Sequence, residues 1–465
     1  MSHEKPNVLL IMTDQQRWDC VGANGNLVIR TPHLDALARD GVTFTNSFTN
    51  AAACVPSRAC LMTGQYVHVH GVTATSGPLW VRPETPTLPG CFSADGYAAV
   101  GVGKMHFKPW DALSGFDRRV IVDGKYNMSQ GGDEYRQALK SLGLSHKTIG
   151  HHTPGFGKAF KSMPTTELPP EYYIDAYIGR RGVETLEGLI KEGRPFFLTV
   201  SFCGPHDPYD PPPPYSTMYD RALMPMGRYR EGELDCLPEA IRREVTDMGI
   251  EHLNLTTVPE ARKREVAAHY YGNISLIDDW VGALLGTLKR RSLYDDTVIL
   301  FTSDHGEYLG DHNLYYKAYF PCDSDCKVPL ILKAPGVTGG VRNDSLVGNV
   351  DVMPTLLELA GVDAAPSWQG LSLVRTARDG TDAGRDCIVT YSECGPCCRV
   401  RTREWAYVFR DGDGYDQLYD LLDDPHELNN LAREPACASV ADQLRRRLIL
   451  WFSENPAPCD VTRGE

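Results

Sequence analysis

The stretch NVLLIMTDQ, residues 7–15, decides the fold class of this chain. Its apolar run is continuous rather than alternating, which indicates a strand that is buried on both faces. Strands of that kind belong to parallel sheets covered by helices, because a strand with one face in water alternates polar and apolar residues. The run stops at Asp14 and Gln15, so two polar side chains stand at the carboxyl end of a buried strand.

Similar apolar runs recur along the chain and are separated by helical stretches. They are YAAVGVGK (97–104), PFFLTVSF (195–202), TVILFTS (297–303) and VPLILKAP (328–335). The clearest helical pattern follows Pro259, where apolar residues recur at three- and four-residue spacing and therefore share one face. This alternation predicts an α/β fold, with a large mixed, mostly parallel sheet sandwiched by helices.

The character of the sequence changes after DVMPTLLELAGV (351–362), which predicts a helix closed by Gly361. The segments that follow are CIVTYSE (387–393), RVRTREWAYVFR (399–410) with TREW as a hairpin turn, DQLYDL (416–421) and the helical SVADQLRRRLILWF (439–452). Short strands followed by one helix indicate a small antiparallel sheet with a packed helix. We therefore predict two domains: 1–365, the α/β domain, and 366–465, a smaller C-terminal α+β subdomain.

Composition and charge exclude several classes of partner. The chain has 465 residues, 42% of them hydrophobic and 23% charged, with a formal net charge of −13. A negative protein has no overall attraction for nucleic acid or for an anionic membrane surface. No apolar run is long enough to span a bilayer, and the amino terminus lacks the features of an export signal. We expect cytoplasmic residence, no nucleic-acid or membrane partner, and leave a homo-oligomer open.

The 14 cysteines of the chain are interpreted as reduced thiols. The clusters CDSDC (322–326) and CGPCC (394–398) do not form two properly spaced ligand pairs. Structural thiols are therefore favoured over a zinc site.

Two polar pairs follow buried strands. Asp14 and Gln15 end the first apolar run, and Asp304 and His305 end TVILFTS. Parallel strands deliver their carboxyl ends to one edge of the sheet, where open α/β folds bind ligands. The sequence therefore predicts that these four side chains meet.

The stretch CVPSRACLMTG, residues 54–64, places a cysteine two residues before Pro-Ser-Arg and then becomes apolar and helical. A helix that begins at Pro56 would direct its first N–H groups toward an anion, and Arg58 would add a cation in the first turn. Taken alone, Cys54 is equally well interpreted as a buried free thiol in front of a helix.

This stretch resembles the signature of the sulfatase family, part of the alkaline phosphatase superfamily, in which Cys-x-Pro-Ser-Arg precedes Leu-x-Thr-Gly. The resemblance extends over nearly the whole chain, because further family motifs follow in the family's order. It implies that Cys54 is oxidised to formylglycine by a formylglycine-generating enzyme. The hydrate of that aldehyde is the family's nucleophile.

The remaining motifs supply charged and titratable groups with implied roles. GKMHF gives Lys104, which would neutralise anionic charge, and His106, the expected base. PHDP, leaving another strand, gives His206 as a proton donor to the leaving group, and Lys317 stands where a sulfate-binding lysine and general acid belongs. Asp311 and His312 are interpreted as supporting or surface groups.

The resemblance also implies a divalent cation between Asp14, Gln15, Asp304, His305 and modified Cys54. Oxygen donors favour Ca²⁺, while the imidazole also admits Mn²⁺ or Mg²⁺. Many sulfatases carry a second Asp at the position of Gln15 and an Asn at that of His305. The Gln and His variants resemble phosphonate monoester hydrolases and the choline-sulfatase branch.

The expected function is hydrolysis of a sulfate monoester, with the alcohol left open among aryl, choline and saccharide. One alternative is a phosphonate monoester or phosphodiester hydrolase on the same scaffold, and another is an unmodified protein that binds anions or metal without catalysis. Aromatic residues and histidines between 110 and 175 either line the pocket mouth or pack in the core. They are Trp110, Tyr126, Tyr135, His151, His152, Tyr172 and Tyr173.

Overall fold

A computed structural model of the protein describes residues 5–77, 80–124, 132–145, 148–149, 165–166, 168–233, 258–317, 320–363, 367–393, 397–410 and 415–457. The strands are β1 (Asn7–Asp14), β2 (Val42–Phe48), β3 (Ala98–Gly103), β4 (Arg118–Ile121), β5 (Thr148–Ile149), β6 (Thr165–Thr166), β7 (Phe196–Pro205), β8 (Thr297–Ser303), β9 (Leu330–Lys333), β10 (Val341–Gly348), β11 (Ile388–Ser392), β12 (Cys397–Arg401), β13 (Trp405–Arg410) and β14 (Gln417–Asp420). The α-helices are α1 (Pro32–Asp40), α2 (Cys54–Thr63), α3 (Val67–His70), α4 (Leu88–Ala94), α5 (Glu134–Ser141), α6 (Ile174–Glu192), α7 (Glu260–Arg290), α8 (Asp323–Cys326), α9 (Val352–Ala360), α10 (Val374–Asp379) and α11 (Ala438–Glu454).

Eight strands form one sheet in the order β10-β2-β9-β8-β1-β7-β3-β4. Every neighbouring pair is parallel except those of β9, which runs antiparallel to β2 and β8. The prediction of a mixed, mostly parallel sheet is confirmed. Strand β1 lies in the interior of this sheet between β7 and β8, which explains the continuous apolar run that it carries.

Helices cover both faces of this sheet. On one face, Leu9 and Ile11 of β1 pack in a cluster with residues of α1, α6 and α7. On the other face, Val8, Leu10 and Met12 pack with residues of α2, α4 and α9. Successive side chains of a strand point to opposite faces, so burial on both sides requires apolar residues at every position. The helix predicted after Pro259 is α7, with 31 residues.

The C-terminal part forms a separate antiparallel sheet in the order β11-β12-β13-β14. The predicted TREW turn joins β12 to β13, and α11 packs on this sheet through Leu444, Leu448 and Trp451. Helix α10 follows residue 365, but its Ala377 packs in the cluster of the large sheet. The domain boundary at 365/366 stays a prediction.

Some of the aromatic residues between 110 and 175 pack in the core. Tyr135 and Tyr173 are fully buried in the cluster under the large sheet, so for these two the packing interpretation is correct and the pocket-mouth interpretation is wrong. Tyr172 packs at the margin of the same cluster, and Trp110 is partly exposed. Tyr126, His151 and His152 lie outside the described residues.

The cysteine clusters contain free thiols where the structure describes them. Cys322, Cys326 and Cys397 are buried and Cys398 is partly buried, while Cys394 lies outside the described residues. Over the ranges given above, no helix is both long and apolar enough to cross a membrane.

Candidate active site

The carboxyl ends of β1 and β8 bring two acidic residues together. These strands are parallel neighbours in register from Asn7 opposite Thr297 to Thr13 opposite Ser303. Asp14 and Asp304 therefore emerge side by side, and the backbone N–H of Gln15 donates to Asp304 Oδ1 at 3.1 Å. Both carboxyl groups are fully buried.

Cys54 lies against the same edge, at the beginning of α2. The prediction that this helix begins at Pro56 is wrong, because it begins two residues earlier at Cys54. The N–H groups of the first turn have no partner within a helix, so a proline in the third position removes no helical hydrogen bond. Cys54 Sγ lies 3.1 Å from His305 Nε2 and 3.9 Å from Asp14 Oδ1. Helix α2 thus presents its first side chain to the two strand ends.

Arg58 links both acidic residues from the next turn of α2. Its Nε donates to Asp304 Oδ2 at 2.8 Å, and its Nη2 donates to Asp14 Oδ2 at 3.1 Å. Its Nη1 donates to the carbonyl oxygen of Lys104 at 2.5 Å and to Ser201 Oγ at 3.0 Å. With only 1% of its surface exposed, this guanidinium is a fixed, buried cation.

Lys104 adds a second buried cation from the end of β3. Its Nζ lies 2.6 Å from Asp14 Oδ2. Burial by itself would raise the pKa of Asp14, but Lys104, His206 and Arg58 hold it well below its usual range. Burial likewise would lower the pKa values of Arg58 and Lys104, and the neighbouring Asp304 and Asp14 raise them instead. Asp14 is therefore ionised and both cations keep their protons.

His305 is oriented by its own backbone. Its Nδ1 lies 2.9 Å from the carbonyl oxygen of Gly306, so Nδ1 carries the proton and Nε2 presents a lone pair to the site. Burial is the first cause that lowers the pKa of this imidazole, which keeps it neutral. Metal-bound histidines are held in this way by an outer hydrogen bond.

Four buried side chains at this edge of the sheet form a donor set that suits a divalent cation. Ligand atoms of Asp14, Cys54, Asp304 and His305 all lie within 4.8 Å of one another, and all four residues are buried. Two carboxylates, one neutral imidazole and one sulfur atom match the ligands that divalent metals take in proteins. Four of the five predicted ligands thus lie together and suit a divalent cation, while the amide of the fifth, Gln15, is bonded to Glu307 and Lys317.

His106 stands beside the two buried cations with both ring nitrogens unused. Among the described residues neither Nδ1 nor Nε2 has a hydrogen-bond partner, although the side chain is buried. Burial, Lys104 and Arg58 hold its pKa well below the usual range. A neutral imidazole without a partner is free to accept a proton from a bound group.

His206 and Lys317 lie close together, next to the side-chain oxygen of Gln15. Lys317 Nζ lies 2.7 Å from His206 Nε2 and donates to Gln15 Oε1 at 2.5 Å. The backbone N–H of His206 donates to the carbonyl oxygen of Asp14 at 3.0 Å, which fixes its loop to the end of β1. Burial would lower the pKa of Lys317, but Cys54, Asp14 and Asp207 raise it. The pair therefore includes a protonated ammonium group.

Sequence reasoning missed Glu307, a fully buried carboxyl group next to Gln15. It accepts hydrogen bonds from Gln15 Nε2 and, at 2.8 Å, from the Tyr209 hydroxyl. Burial raises its pKa to about 7. The sequence signal that could have indicated Glu307 is its position two residues after His305.

Asp311 and His312 are buried rather than on the surface. Asp311 accepts a hydrogen bond from Arg17 at 2.9 Å, and His312 Nδ1 lies 3.3 Å from Glu233 Oε2. The surface interpretation of this pair is therefore wrong, since both residues anchor the loop that precedes Lys317.

The mixed sheet has the alkaline-phosphatase-like architecture and carries a polar cluster at its carboxyl edge, where open α/β folds bind ligands. Residues 6–362 match the family described as Sulfatase, and residues 310–452 match the one described as N-sulphoglucosamine sulphohydrolase, C-terminal. The chain therefore belongs to the sulfatase family and is a sulfuric ester hydrolase.

Individual relatives agree with this assignment. The chain is 31% identical to an arylsulfatase of Clostridium perfringens, over 96% of this chain and 94% of that protein. It is 32% identical to a choline-sulfatase of Rhizobium meliloti, over 94% and 84%. Among solved structures, a phosphonate monoester hydrolase of Agrobacterium radiobacter superimposes with a TM-score of 0.82 at 26% identity, over 97% of this chain and 96% of that one.

Proposed function

We propose that the protein cleaves a sulfate monoester into an alcohol and inorganic sulfate with a formylglycine made from Cys54. Asp14, Gln15, Asp304, His305 and residue 54 would hold one divalent cation, with Ca²⁺ favoured over Mn²⁺ or Mg²⁺. The observation that carries this proposal is the position of Cys54 Sγ, 3.1 Å from His305 Nε2, within a buried set of ligand atoms. A thiol kept only for packing would lie among apolar neighbours.

The cation and the formylglycine would supply distinct chemistry. A bound divalent cation stabilises negative charge on oxygen and lowers the pKa of a hydroxyl group. A formylglycine at position 54 would supply, as its hydrate, a nucleophilic oxygen together with a second hydroxyl.

The chain's own residues would bind the anion and move the protons. Arg58 and Lys104 offset the charge of the buried carboxylates. A bound divalent cation would therefore give the site a net positive charge, which attracts sulfate. His106, neutral and without a partner among the described residues, would take the proton of the second hydroxyl. Lys317 and His206, 2.7 Å apart, would bind the ester oxygen and donate a proton to the departing alcohol.

Phosphonate monoester or phosphodiester hydrolysis is the second candidate. It is supported by the likeness to the phosphonate monoester hydrolase and by Gln15 and His305 in place of Asp and Asn.

Several expectations from the sequence stay predictions. They are maturation by a formylglycine-generating enzyme, cytoplasmic residence, the lack of nucleic-acid and membrane partners, and a homo-oligomer. The alcohol of the sulfate ester stays open among aryl, choline and saccharide.

The test compares hydrolysis of 4-nitrophenyl sulfate with that of 4-nitrophenyl phenylphosphonate by protein coexpressed with a formylglycine-generating enzyme. We expect a higher kcat/KM for the sulfate, and no activity of Cys54→Ala on either ester. A higher kcat/KM for the phosphonate would establish the second candidate. Equal activity of Cys54→Ala and the parent protein would overturn both.

A further inference from the structure

Glu307 is a buried carboxyl group with several hydrogen-bond donors around it and no cation bonded to it among the described residues. Its Oε2 accepts from Gln15 Nε2 and from the Tyr209 hydroxyl. Its Oε1 accepts from the backbone N–H groups of Leu309, at 3.0 Å, and Tyr316, at 2.5 Å. A carboxyl group held by so many donors, with no exposed surface, has a defined orientation.

The first consequence concerns the amide of Gln15. A primary amide has a donor end and an acceptor end of nearly the same shape, so its neighbours decide which end points where. The oxygen that Glu307 turns toward Gln15 is Oε2, which already accepts from the Tyr209 hydroxyl, so Glu307 selects the orientation in which the donor end of the amide, Nε2, faces it. The amide oxygen must then face the opposite side, where Lys317 Nζ lies at 2.5 Å.

The second consequence concerns the loop between β8 and α8 that carries Lys317. Glu307 Oε1 binds N–H groups near both ends of the turn from Leu309 to Tyr316, two residues that adopt positive φ values of 48° and 70°. Residues with side chains rarely adopt such values without support from their surroundings. The two hydrogen bonds from the turn to one carboxylate oxygen provide that support, immediately before Lys317.

We propose that Glu307 is a positioning residue. It fixes the orientation of the Gln15 amide and the conformation of the turn that precedes Lys317. One carboxylate thereby directs the Gln15 oxygen toward the cation site and the Lys317 ammonium group toward the leaving group. This inference rests on the proposed function, because it takes Gln15 as an oxygen ligand of the divalent cation.

The test exchanges the two functional groups. In Glu307→Gln, an NH₂ group at the position of Oε2 would face Gln15 Nε2, donor against donor, and at the position of Oε1 it would face the N–H groups of Leu309 and Tyr316. We expect the Gln15 amide to turn and present N–H groups to the cation site. Calcium titration of metal-free protein by calorimetry should then show a dissociation constant raised about tenfold or more, the range found for outer partners of metal ligands.

The double variant Gln15→Glu/Glu307→Gln is the decisive control. It restores a donor at 307 facing an acceptor at 15, and leaves a carboxylate oxygen for Lys317 and the cation. We expect its calcium affinity to return to at least that of the unaltered protein. Glu427→Gln makes the same substitution in another buried carboxyl group, bonded to Arg399 in the C-terminal part, and should leave calcium affinity unchanged.

The outcomes separate this inference from the proposed function. If the unaltered protein binds no divalent cation, the cation site is refuted and this inference with it. If that protein binds calcium and Glu307→Gln binds it equally well, this inference alone is refuted. If the single variant binds calcium weakly and the double variant does not recover, Glu307 serves only to maintain structure, which also refutes the inference. If the single variant does not fold, the affinity of the double variant decides.

Discussion

Replacing Arg58 by methionine removes a guanidinium that bonds both acidic residues at the strand ends. Arg58→Met retains much of the side-chain volume in a position with 1% exposure, so the change is chiefly one of charge and hydrogen bonding. Asp304 loses its 2.8 Å partner, and Asp14 keeps Lys104 at 2.6 Å as its bonded cation among the residues that the structure describes. Two fully buried carboxylates then face each other with one cation fewer.

The expected cost follows from these contacts. Removing one partner of a buried ion pair costs about 3–5 kcal/mol, because the remaining charge stays buried without compensation. The Lys104 carbonyl oxygen and Ser201 Oγ also lose a donor, each worth about 1 kcal/mol. We therefore expect the free energy of unfolding to fall by about 5 kcal/mol or more in metal-free protein. Bound calcium should return part of this loss, since it supplies positive charge between the same carboxylates.

The assay is urea denaturation followed by tryptophan fluorescence, with EDTA and then with calcium. The matched control is Arg447→Met, which breaks the ion pairs of Arg447 with Asp386 and Glu454 near the surface. An exposed pair of this kind contributes about 1 kcal/mol or less. A loss for Arg58→Met within about 1 kcal/mol of the control would refute the argument that these charges are buried and mutually dependent.

Three further outcomes are expected. Burial lowers the pKa of His70 to about 3, and its Nδ1 accepts from the Val72 N–H at 3.0 Å. The unfolded chain binds a proton at His70 near pH 6.5, whereas the folded protein does not until the pH approaches 3. The stability that the neutral imidazole allows is therefore fully present above pH 6.5 and is lost as the pH falls toward 3. Between pH 7 and pH 5 the unfolding free energy should therefore fall by about 2 kcal/mol more than in His70→Asn, measured by urea denaturation. Lys317→Met should slow hydrolysis of alkyl sulfates by about 10²-fold or more, but that of 4-nitrophenyl sulfate much less, because only a poor leaving group needs a proton; equal losses would contradict its role as an acid. EDTA should abolish activity and lower Tm, and calcium at about 100 times its Kd should restore about 2.7 kcal/mol of stability; an unchanged Tm would argue against the cation site.

Five interior strands of the large sheet could be predicted because burial on both faces leaves its mark at every residue, but β2, between β9 and β10, includes polar residues and was missed. Strand β1 and strand β8 are continuous apolar runs, and both lie where the sequence indicates. Edge strands carry no such mark: β4 consists of Arg118, Arg119, Val120 and Ile121, and β10 includes several polar residues. A strand with one partner and an exposed face is compatible with polar side chains, so these strands were not recognised.

The candidate site was predictable where it depended on topology. Asp14 and Asp304 follow neighbouring parallel strands, so their meeting required no knowledge of side-chain conformation. The role of Glu307 depended instead on a turn with positive φ values that only coordinates show. The start of α2 was misplaced for a related reason, since proline is tolerated throughout the first turn and does not identify its first residue.

The mass of the tryptic peptide 40–58, DGVTFTNSFTNAAACVPSR, tests the central claim most directly. It contains Cys54 as its single cysteine, while the buried Cys60 of the same helix falls in the next peptide and serves as an internal control. In active protein coexpressed with a formylglycine-generating enzyme, we predict that peptide 40–58 has exchanged one sulfur and two hydrogen atoms for one oxygen atom, with Cys60 unaltered. An intact thiol at position 54 in fully active protein would contradict the account.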